Sequence, residues 1–220
     1  MPDLRSITRV LARDICYMID ENSIEEIRIR VNRPVILKYS DREQVLDHMV
    51  SQTEIVNILQ SLCNNSIYSY QSQICDGYIT LSGGHRVGIT GNVAMKDGKI
   101  NNVNYVSSLN FRIAREIIGV SNEILKEVLV DDKINNTLIV SRPGCGKTTV
   151  LRDLVRNISN RGFTISLIDE RGEIASMYKG IPQNDVGLRT DVLDGVTKSL
   201  GMKIAVRTMP TISILIITSL

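Results

Sequence analysis

The stretch Thr137–Ile158, TLIVSRPGCGKTTVLRDLVRNI, decides the fold of the second half of the chain. It begins with an apolar run over 138–140, which predicts a β-strand, and it ends in apolar residues at helical spacing. Between the two lies a glycine-rich loop that finishes in Gly-Lys-Thr. A strand, a glycine loop and a helix in this order form the context in which that tripeptide binds phosphate. The stretch therefore predicts a P-loop, and the alternative is an ordinary strand–turn–helix with a surface lysine.

Each residue type in this loop has a physical reason to be there. Glycine lets the backbone approach phosphate oxygens without a Cβ, and free N–H groups at the helix start attract the anion. Lys147 is expected to reach the β- and γ-phosphates, and the Thr148 hydroxyl to bind Mg²⁺. Ser141 stands where the consensus has its first glycine, a position that opens the turn, so we expect serine to be tolerated. The predicted nucleotide-binding residues are Pro143, Gly144, Cys145, Gly146, Lys147, Thr148 and Thr149.

Composition limits the class of protein. The 220 residues are 43% hydrophobic and 23% charged, which allows one large or two small domains with a core of their own. A net charge of +2 gives no attraction of the whole chain to nucleic acid or acidic membranes. The four cysteines show no metal-ligand spacing, and we interpret them as reduced thiols. We find no signal peptide and no run of about 20 apolar residues, so a cytoplasmic protein is expected.

The first half of the chain predicts an α+β domain over residues 1–118. Apolar residues at helical spacing predict a helix over 4–18, and strict alternation predicts a hairpin over 27–37. The first strand of that hairpin has a basic face, which could contact a neighbouring subunit or a phosphate, although a solvated face is the commoner explanation. A capping box at Ser51 predicts a second helix. Further alternation broken by Gly-Gly at 83–84 and Asp-Gly at 97–98 predicts a β-meander over 77–105, and a last strand is predicted over 109–113.

The second half, residues 119–220, predicts an alternating α/β domain. A helix capped by Ser121 should lead into the strand before the P-loop, and a strand over 163–168 should follow the P-loop helix. This later strand ends in acidic residues, at the edge where open α/β sheets bind ligands. Three acids there could orient a water or hold the Mg²⁺ hydration shell, namely Asp169, Glu170 and Glu173; a simple charge cluster is the alternative. Residues 180–195 predict a long functional loop, and 203–207 and 212–217 predict two further strands.

Five segments in the chain resemble a known family. They read EIRIRVNRPVIL (26–37), GYITLSGGHRVGITG (77–91), SRPGCGKTTVLRD (141–153), LIDERGEIA (167–175) and GIPQNDVGLRTDVLDG (180–195). Together they are similar to the stage III sporulation protein AA family, which comprises ATPases of endospore-forming bacteria. That group is related to the motor ATPases of type II secretion, type IV pili and type IV secretion. The last two segments are far more specific than the P-loop, which many unrelated NTPases share.

The resemblance implies an α+β amino-terminal domain followed by a RecA-like P-loop ATPase domain, with ATP and Mg²⁺ as cofactors. It implies a homo-oligomer, expected to be a hexameric ring with ATP between subunits. It also implies a place on the mother-cell side of the channel to the forespore, with membrane proteins of that channel as partners. Lys147 and Thr148 match the nucleotide loop of the family. Glu170 falls in the segment that resembles the acidic box of secretion ATPases, so Glu170 is the expected catalytic residue.

One departure from the family pattern concerns the end of the printed sequence. In the family, the strand that resembles residues 212–217 leads into an Asp-Glu pair, the Walker B acid that supports Mg²⁺. Here the strand is followed by Thr218-Ser219-Leu220. The expectation is therefore an ATPase domain that is incomplete at the C-terminus. We expect such a chain to bind adenine nucleotide weakly and to hydrolyse none.

Three functions are open at this point. The leading one is an ATPase of the sporulation channel that energises assembly or transport. The second is a nucleic-acid-associated P-loop NTPase, although no basic stripe with interleaved aromatic residues supports it and a nucleic-acid partner is not expected. The third is a scaffold that binds ATP without turnover, which the missing acid favours.

Overall fold

The computed structural model describes residues 3–142, 144–208 and 210–215. The chain divides into two compact units, Met1–Arg115 and Glu116–Leu220. This division falls just before the position between residues 118 and 119 at which the sequence predicts the domain boundary.

The amino-terminal unit is built on a six-stranded antiparallel sheet. Its strands are β1 (Ile24–Arg30), β2 (Pro34–Tyr39), β3 (Glu43–Met49), β4 (Tyr78–Thr80), β5 (Arg86–Lys96) and β6 (Lys99–Arg112). Their order across the sheet is β3-β2-β1-β6-β5-β4. In β1, isoleucines alternate with charged residues, and this alternation puts the isoleucines into the core and the charges on the other face. On that second face Arg28 pairs with Glu26 at 2.9 Å and stays half-exposed.

The core of this unit forms where short helices cover the apolar face of the sheet. The helices are α1 (Arg5–Thr8), α2 (Arg13–Tyr17), α3 (Gln52–Leu62) and α4 (Gln71–Cys75), with a 3₁₀ helix at Ile67–Tyr70. The predicted cap of α3 is confirmed, since Ser51 Oγ accepts a hydrogen bond from the Glu54 amide at 3.1 Å. Phe111 and Leu109 of β6 are among the fully buried side chains.

The predicted first helix over 4–18 is wrong, because the structure has two short helices there. Ala12 is extended (ψ 148°) and breaks the helix between α1 and α2. The break still buries Leu11 and Ile15. Helical spacing thus marks the apolar residues correctly but does not show that the chain bends between them.

The predicted meander is confirmed as β4, β5 and β6, with one difference. Residues 100–105 and 109–113 were predicted as separate strands, whereas β6 runs without interruption through Arg112. A bulge explains the interruption in the sequence pattern. Between the pairs Thr90–Ser108 and Asn92–Asn104, β6 carries extra residues opposite Gly91. A Cβ on Gly91 would lie 2.8 Å from the Tyr105 carbonyl oxygen, so only glycine fits there.

His48 lies between two carboxylates and joins three elements of this unit. Its Nδ1 is 2.6 Å from Asp14 of α2, and its Nε2 is 2.9 Å from Glu54 of α3. Burial acts to lower the pKa of His48, but the hydrogen bonds with the two carboxylates outweigh it and raise the pKa. An imidazole can donate to both carboxylates only when it is protonated.

This arrangement predicts a pH-dependent contribution to stability. Because the folded-state pKa of His48 is raised, its contribution is fully present below the unfolded pKa of about 6.5 and is lost as pH rises through the folded value. The free energy of unfolding lost in His48→Gln should be about 1 kcal/mol larger at pH 6 than at pH 9, a low value because Asp14 is mostly exposed. Urea unfolding at both pH values measures it. A loss that is equal at pH 6 and pH 9 would contradict the assignment.

The carboxy-terminal unit contains a three-stranded parallel sheet in the order β10-β9-β11. Its elements are α5 (Asn122–Val128), β7 (Leu129–Val130), β8 (Lys133–Ile134), α6 (Lys147–Asn160), β9 (Ile165–Asp169), β10 (Thr190–Asp194), α7 (Lys198–Ala205), a 3₁₀ helix (Val206–Thr208) and β11 (Ile212–Leu215). Strand β9 is buried along its whole length at the centre of the sheet, and α6 packs its apolar side into the same core. Residues 216 and 217 of the predicted last strand lie outside the described residues.

Three predictions in this unit need correction. The run 138–140 is not a strand, and Leu138 and Val140 are 77% and 78% exposed, because no strand in the described part of the chain pairs with it. Residues 203–207 form the end of α7 and a 3₁₀ turn, since Gly201 lets α7 pack closely on Ile168 of β9. The loop predicted over 180–195 ends early, because β10 pairs with β9.

Candidate nucleotide-binding site

The loop before α6 owes its shape to two glycines. Gly144 and Gly146 have φ angles of 79° and 82°, and Gly146 is the N-cap of the helix. Any side chain would be strained in this left-handed region. Apart from the chain neighbours of each glycine, no atom of the described residues lies within 4 Å of a Cβ built on either one, so the space beside the loop is open. Amide groups at the start of a helix of 14 residues therefore face a site suited to an anion.

Lys147 begins α6 and turns its side chain back into the loop. Its Nζ donates to the carbonyl oxygens of Ser141 and Arg142 at 2.8 and 3.0 Å. Ser141, at the consensus position of the first glycine, thus contributes its carbonyl to the lysine. The ammonium group lies within the loop that the sequence predicts to bind phosphate.

Thr148 and Glu173 meet beside this loop. The Thr148 hydroxyl donates to Glu173 Oε2 at 3.4 Å, which joins the first turn of α6 to the segment after β9. A hydroxyl and a carboxylate are the oxygen donors that Mg²⁺ prefers, and Mg²⁺ usually keeps several of its waters. The two side chains therefore fit a magnesium ion held partly through water. Within the described ranges, no group of three or more His, Cys, Asp or Glu side chains could hold a metal ion by itself.

Asp169 has a structural use that the sequence does not reveal. Its buried carboxylate accepts hydrogen bonds from the amides of Glu173, Ile174 and Ala175 at 2.8, 2.9 and 2.9 Å. These bonds close the chain into a tight loop directly after β9. Asp169 therefore shapes the segment that carries Glu173.

Glu170, the expected catalytic residue, lies next to Lys198. The Lys198 Nζ is 3.4 Å from Glu170 Oε2, and both side chains are about one-third exposed. Of the three acids that the sequence offers, Glu173 is the one that contacts Thr148.

Three further residues were predicted in the loop: Pro143, Cys145 and Thr149. Cys145 is exposed between the two glycines, and Thr149 is half-buried in the first turn of α6. Pro143 lies outside the described residues. The structure thus brings together Gly144, Gly146, Lys147 and Thr148 at the start of one helix, and it adds Glu173 to them.

The chain is similar to known proteins along most of its length. Residues 4–219 match the family described as "Sporulation stage III, protein AA". The chain belongs to this family. Its relative in Bacillus subtilis (strain 168), stage III sporulation protein AA, is 39% identical over 192 residues, which are 84% of this chain and 62% of the relative. The chain therefore spans less than two-thirds of that relative.

Two solved structures share the fold of this family member. They are the pilus retraction motor PilT with bound ADP (TM-score 0.57) and the ATPase DotB of Yersinia pseudotuberculosis (TM-score 0.54). Each is 14% identical to the chain and covers 91% of it, and the chain covers 57% and 56% of them. The chain thus has the mixed α/β fold of pilus and secretion ATPases. In the part of the family member that the structure describes, no helix is long and apolar enough to cross a membrane.

The sequence pattern did not lead us to predict one buried polar cluster of this chain. Asp153 of α6 is buried and accepts hydrogen bonds from the amide and hydroxyl of Ser121 at 2.9 and 2.7 Å and from Arg156 at 2.7 Å. The hydroxyl of Ser121 is used for this contact and does not cap α5. Burial acts to raise the pKa of Asp153, but these hydrogen bonds prevail and lower it to about 2. The signal was Asp, Arg and Asn at i, i+3 and i+4 spacing on α6.

Residues 180–189, the first part of the segment that resembles the family, also have a structural role. The buried Asn184 side chain donates to Ser176 Oγ at 3.2 Å and to the Ile174 carbonyl. Gly187 has a φ of 83° and packs on Ser159 of α6, where a Cβ would lie 2.4 Å from the serine Cβ. The segment therefore supports the loop of Glu173 from one side, and it packs on α6 with the other.

Proposed function

We propose that this chain binds ATP with Mg²⁺ at the start of α6 and belongs to an ATPase that energises assembly or transport at the sporulation channel. The observation that carries the proposal is the meeting of three groups: the loop of left-handed glycines, Lys147 inside it, and the Thr148–Glu173 contact beside it. Glycine amides, an ammonium group, a hydroxyl and a carboxylate are the groups that a P-loop site uses for a nucleoside triphosphate and its metal.

The proposed roles follow from position. Amides of Gly144–Thr149 bind phosphate oxygens, and Lys147 moves from the loop carbonyls to the β- and γ-phosphates. The hydroxyl of Thr148 would hold Mg²⁺. Glu173 would support the metal through water, because its carboxylate already contacts Thr148. Glu170 is the second candidate for the acid, and its pairing with Lys198 makes it the weaker one.

The family membership supports the wider setting of the proposal. A homo-oligomeric ring, expected to be hexameric, would place the site of each subunit within reach of a neighbour. The channel between mother cell and forespore, with its membrane proteins, would be the partner of the ring on the mother-cell side.

The roles of the two acids can be separated by substitution. In Glu173→Gln, the strengthening of ADP binding by Mg²⁺ should fall about tenfold, the lower end of the effect of removing an outer-sphere partner of a metal. Glu170→Gln is the matched control and should keep the full Mg²⁺ effect. Calorimetric titration of both variants with ADP, with Mg²⁺ and with EDTA, gives the measurement. If Glu170→Gln lost the Mg²⁺ effect and Glu173→Gln kept it, the assignment of the acid would be reversed.

A further inference from the structure

The end of the β5–β6 hairpin extends beyond the rest of its sheet. β4 pairs with β5 only over Arg86–Gly88, and β1 pairs with β6 only over Ser108–Arg112. We call the remaining two-stranded part, residues 92–104, the arm. The bulge opposite Gly91, where Tyr105 has a left-handed φ of 46°, sets the direction of the arm relative to the sheet.

The two faces of the arm differ sharply in polarity. The cross-strand pairs Val93–Val103 and Met95–Ile100 share one face, which is wholly apolar. The pairs Asn92–Asn104, Ala94–Asn102 and Lys96–Lys99 lie on the other face. Val103 packs against the core of the unit, but Val93, Met95 and Ile100 are 49%, 61% and 40% exposed. An apolar stripe therefore runs along one exposed face of a ribbon whose other face is polar and basic.

The two edges of the arm also differ. On β6, side-chain amides bond to backbone carbonyls in the arm and next to it: Gln71 donates to the Asn101 carbonyl at 3.0 Å, and Gln52 donates to the Val106 carbonyl at 3.1 Å. On the β5 side, the Ile89 amide donates to the Gly77 carbonyl, so the backbone of Ile89 faces the outer edge of β5. Because backbone groups alternate along a strand, those of Val93 and Met95 face the same outer edge. No strand among the described residues pairs with this edge after Gly88.

A strand edge with unpaired backbone groups beside an apolar stripe is a surface that can bind another polypeptide in extended conformation. Backbone amides and carbonyls along the edge bind a strand, and the stripe covers its apolar side chains. Lys96 and Lys99 at the tip favour carboxylates on the opposite side of that strand. We propose that the β5 edge of the arm is a strand-addition site for an extended segment of a partner polypeptide, in which apolar and acidic residues alternate. This proposal does not depend on nucleotide binding.

A designed peptide tests the proposal directly. The probe is fluorescein-labelled Glu-Val-Glu-Val-Glu-Val-Glu, and its control has the same side chains on a backbone in which every internal amide is N-methylated. Fluorescence anisotropy should show saturable binding of the probe by the full chain and at least tenfold weaker binding of the methylated control. Hydrogen exchange of the Val93 and Met95 amides should slow when the probe binds, because both amides then donate to it.

Substitutions then place the probe on the arm. Val93→Thr/Met95→Thr keeps strand propensity but removes apolar surface, and it should weaken binding at least fivefold. The matched control, Val56→Thr/Ile67→Thr, changes two exposed apolar residues elsewhere on the unit and should leave binding unchanged. Lys96→Gln/Lys99→Gln should weaken binding severalfold and remove its dependence on salt.

Several results would overturn the proposal. These are the absence of saturable binding, equal affinity for the methylated peptide, and unchanged affinity in Val93→Thr/Met95→Thr. Self-association of the chain without peptide, abolished by that same double substitution, would instead assign the edge to a second copy.

Discussion

The substitution Lys147→Ala should weaken binding of ATP at least about 100-fold, which corresponds to about 3 kcal/mol. The ammonium group lies inside the loop, 2.8 Å from the Ser141 carbonyl, and it is the charge that the site offers to the phosphates. Charge-assisted hydrogen bonds to phosphate are about twice as strong as neutral ones, so alanine cannot replace them. Titration with a fluorescent ATP analogue in the presence of Mg²⁺ measures the change.

The control for this experiment is Lys203→Ala, which removes an exposed lysine of α7. It should bind the analogue as the parent chain does. Equal affinity of Lys147→Ala and the parent would refute the nucleotide site. Absence of binding by the parent itself would leave the loop as an ordinary turn before a helix, with a surface lysine.

Replacement of Asp153 by alanine should lower the free energy of unfolding of the carboxy-terminal unit by about 3 kcal/mol. The side chain is buried, and its loss leaves the donors of Ser121 and Arg156 without their acceptor. Asp191→Ala, at an exposed position on β10, is the control and should change stability by no more than about 0.5 kcal/mol. Urea unfolding followed by circular dichroism gives both values.

The Asp153 carboxylate also predicts how the stability of the chain changes at low pH. The folded-state pKa of Asp153 is lowered to about 2, so its contribution is present above the unfolded pKa and is lost as pH falls toward 2. The difference in stability between the parent and Asp153→Ala should therefore shrink below pH 4. A difference that stays constant from pH 6 to pH 3 would show that the carboxylate is not held by these hydrogen bonds.

The sequence predicted those parts of the fold in which one local pattern leaves few alternatives. Alternation in β1, followed by the apolar run 35–37, predicted the hairpin, and the glycine spacing predicted the loop before α6. The apolar run at 138–140 failed because a strand also needs a neighbour, which no local pattern supplies. The first helix failed because apolar residues four apart can be buried on both sides of a bend, as Leu11 and Ile15 are.

In the candidate site, the residues at the start of α6 could be predicted from the sequence, but the acid that contacts them could not. Lys147 and Thr148 belong to a motif of fixed spacing, so their position follows from the sequence. One acid ends β9 and two more follow within four residues, and spacing alone cannot tell which one faces the loop. The choice depends on the hydrogen bonds that three backbone amides donate to the Asp169 carboxylate, because these bonds turn the chain so that Glu173 contacts Thr148.

In the loop after β9, the groups that hold the backbone are different from the side chain that contacts Thr148. Asp169 holds the backbone of the loop, Arg152 donates to the Glu173 carbonyl at 2.7 Å, and Asn184 fastens the Ile174 carbonyl. None of these bonds uses the carboxylate of Glu173. That side chain can therefore be exchanged while its backbone stays in place, and a loss of the Mg²⁺ effect in a Glu173 variant would report on the side chain itself. A loss of the Mg²⁺ effect in an Asp169 variant would instead report a collapsed loop, so two variants that look alike in a nucleotide titration have different molecular causes.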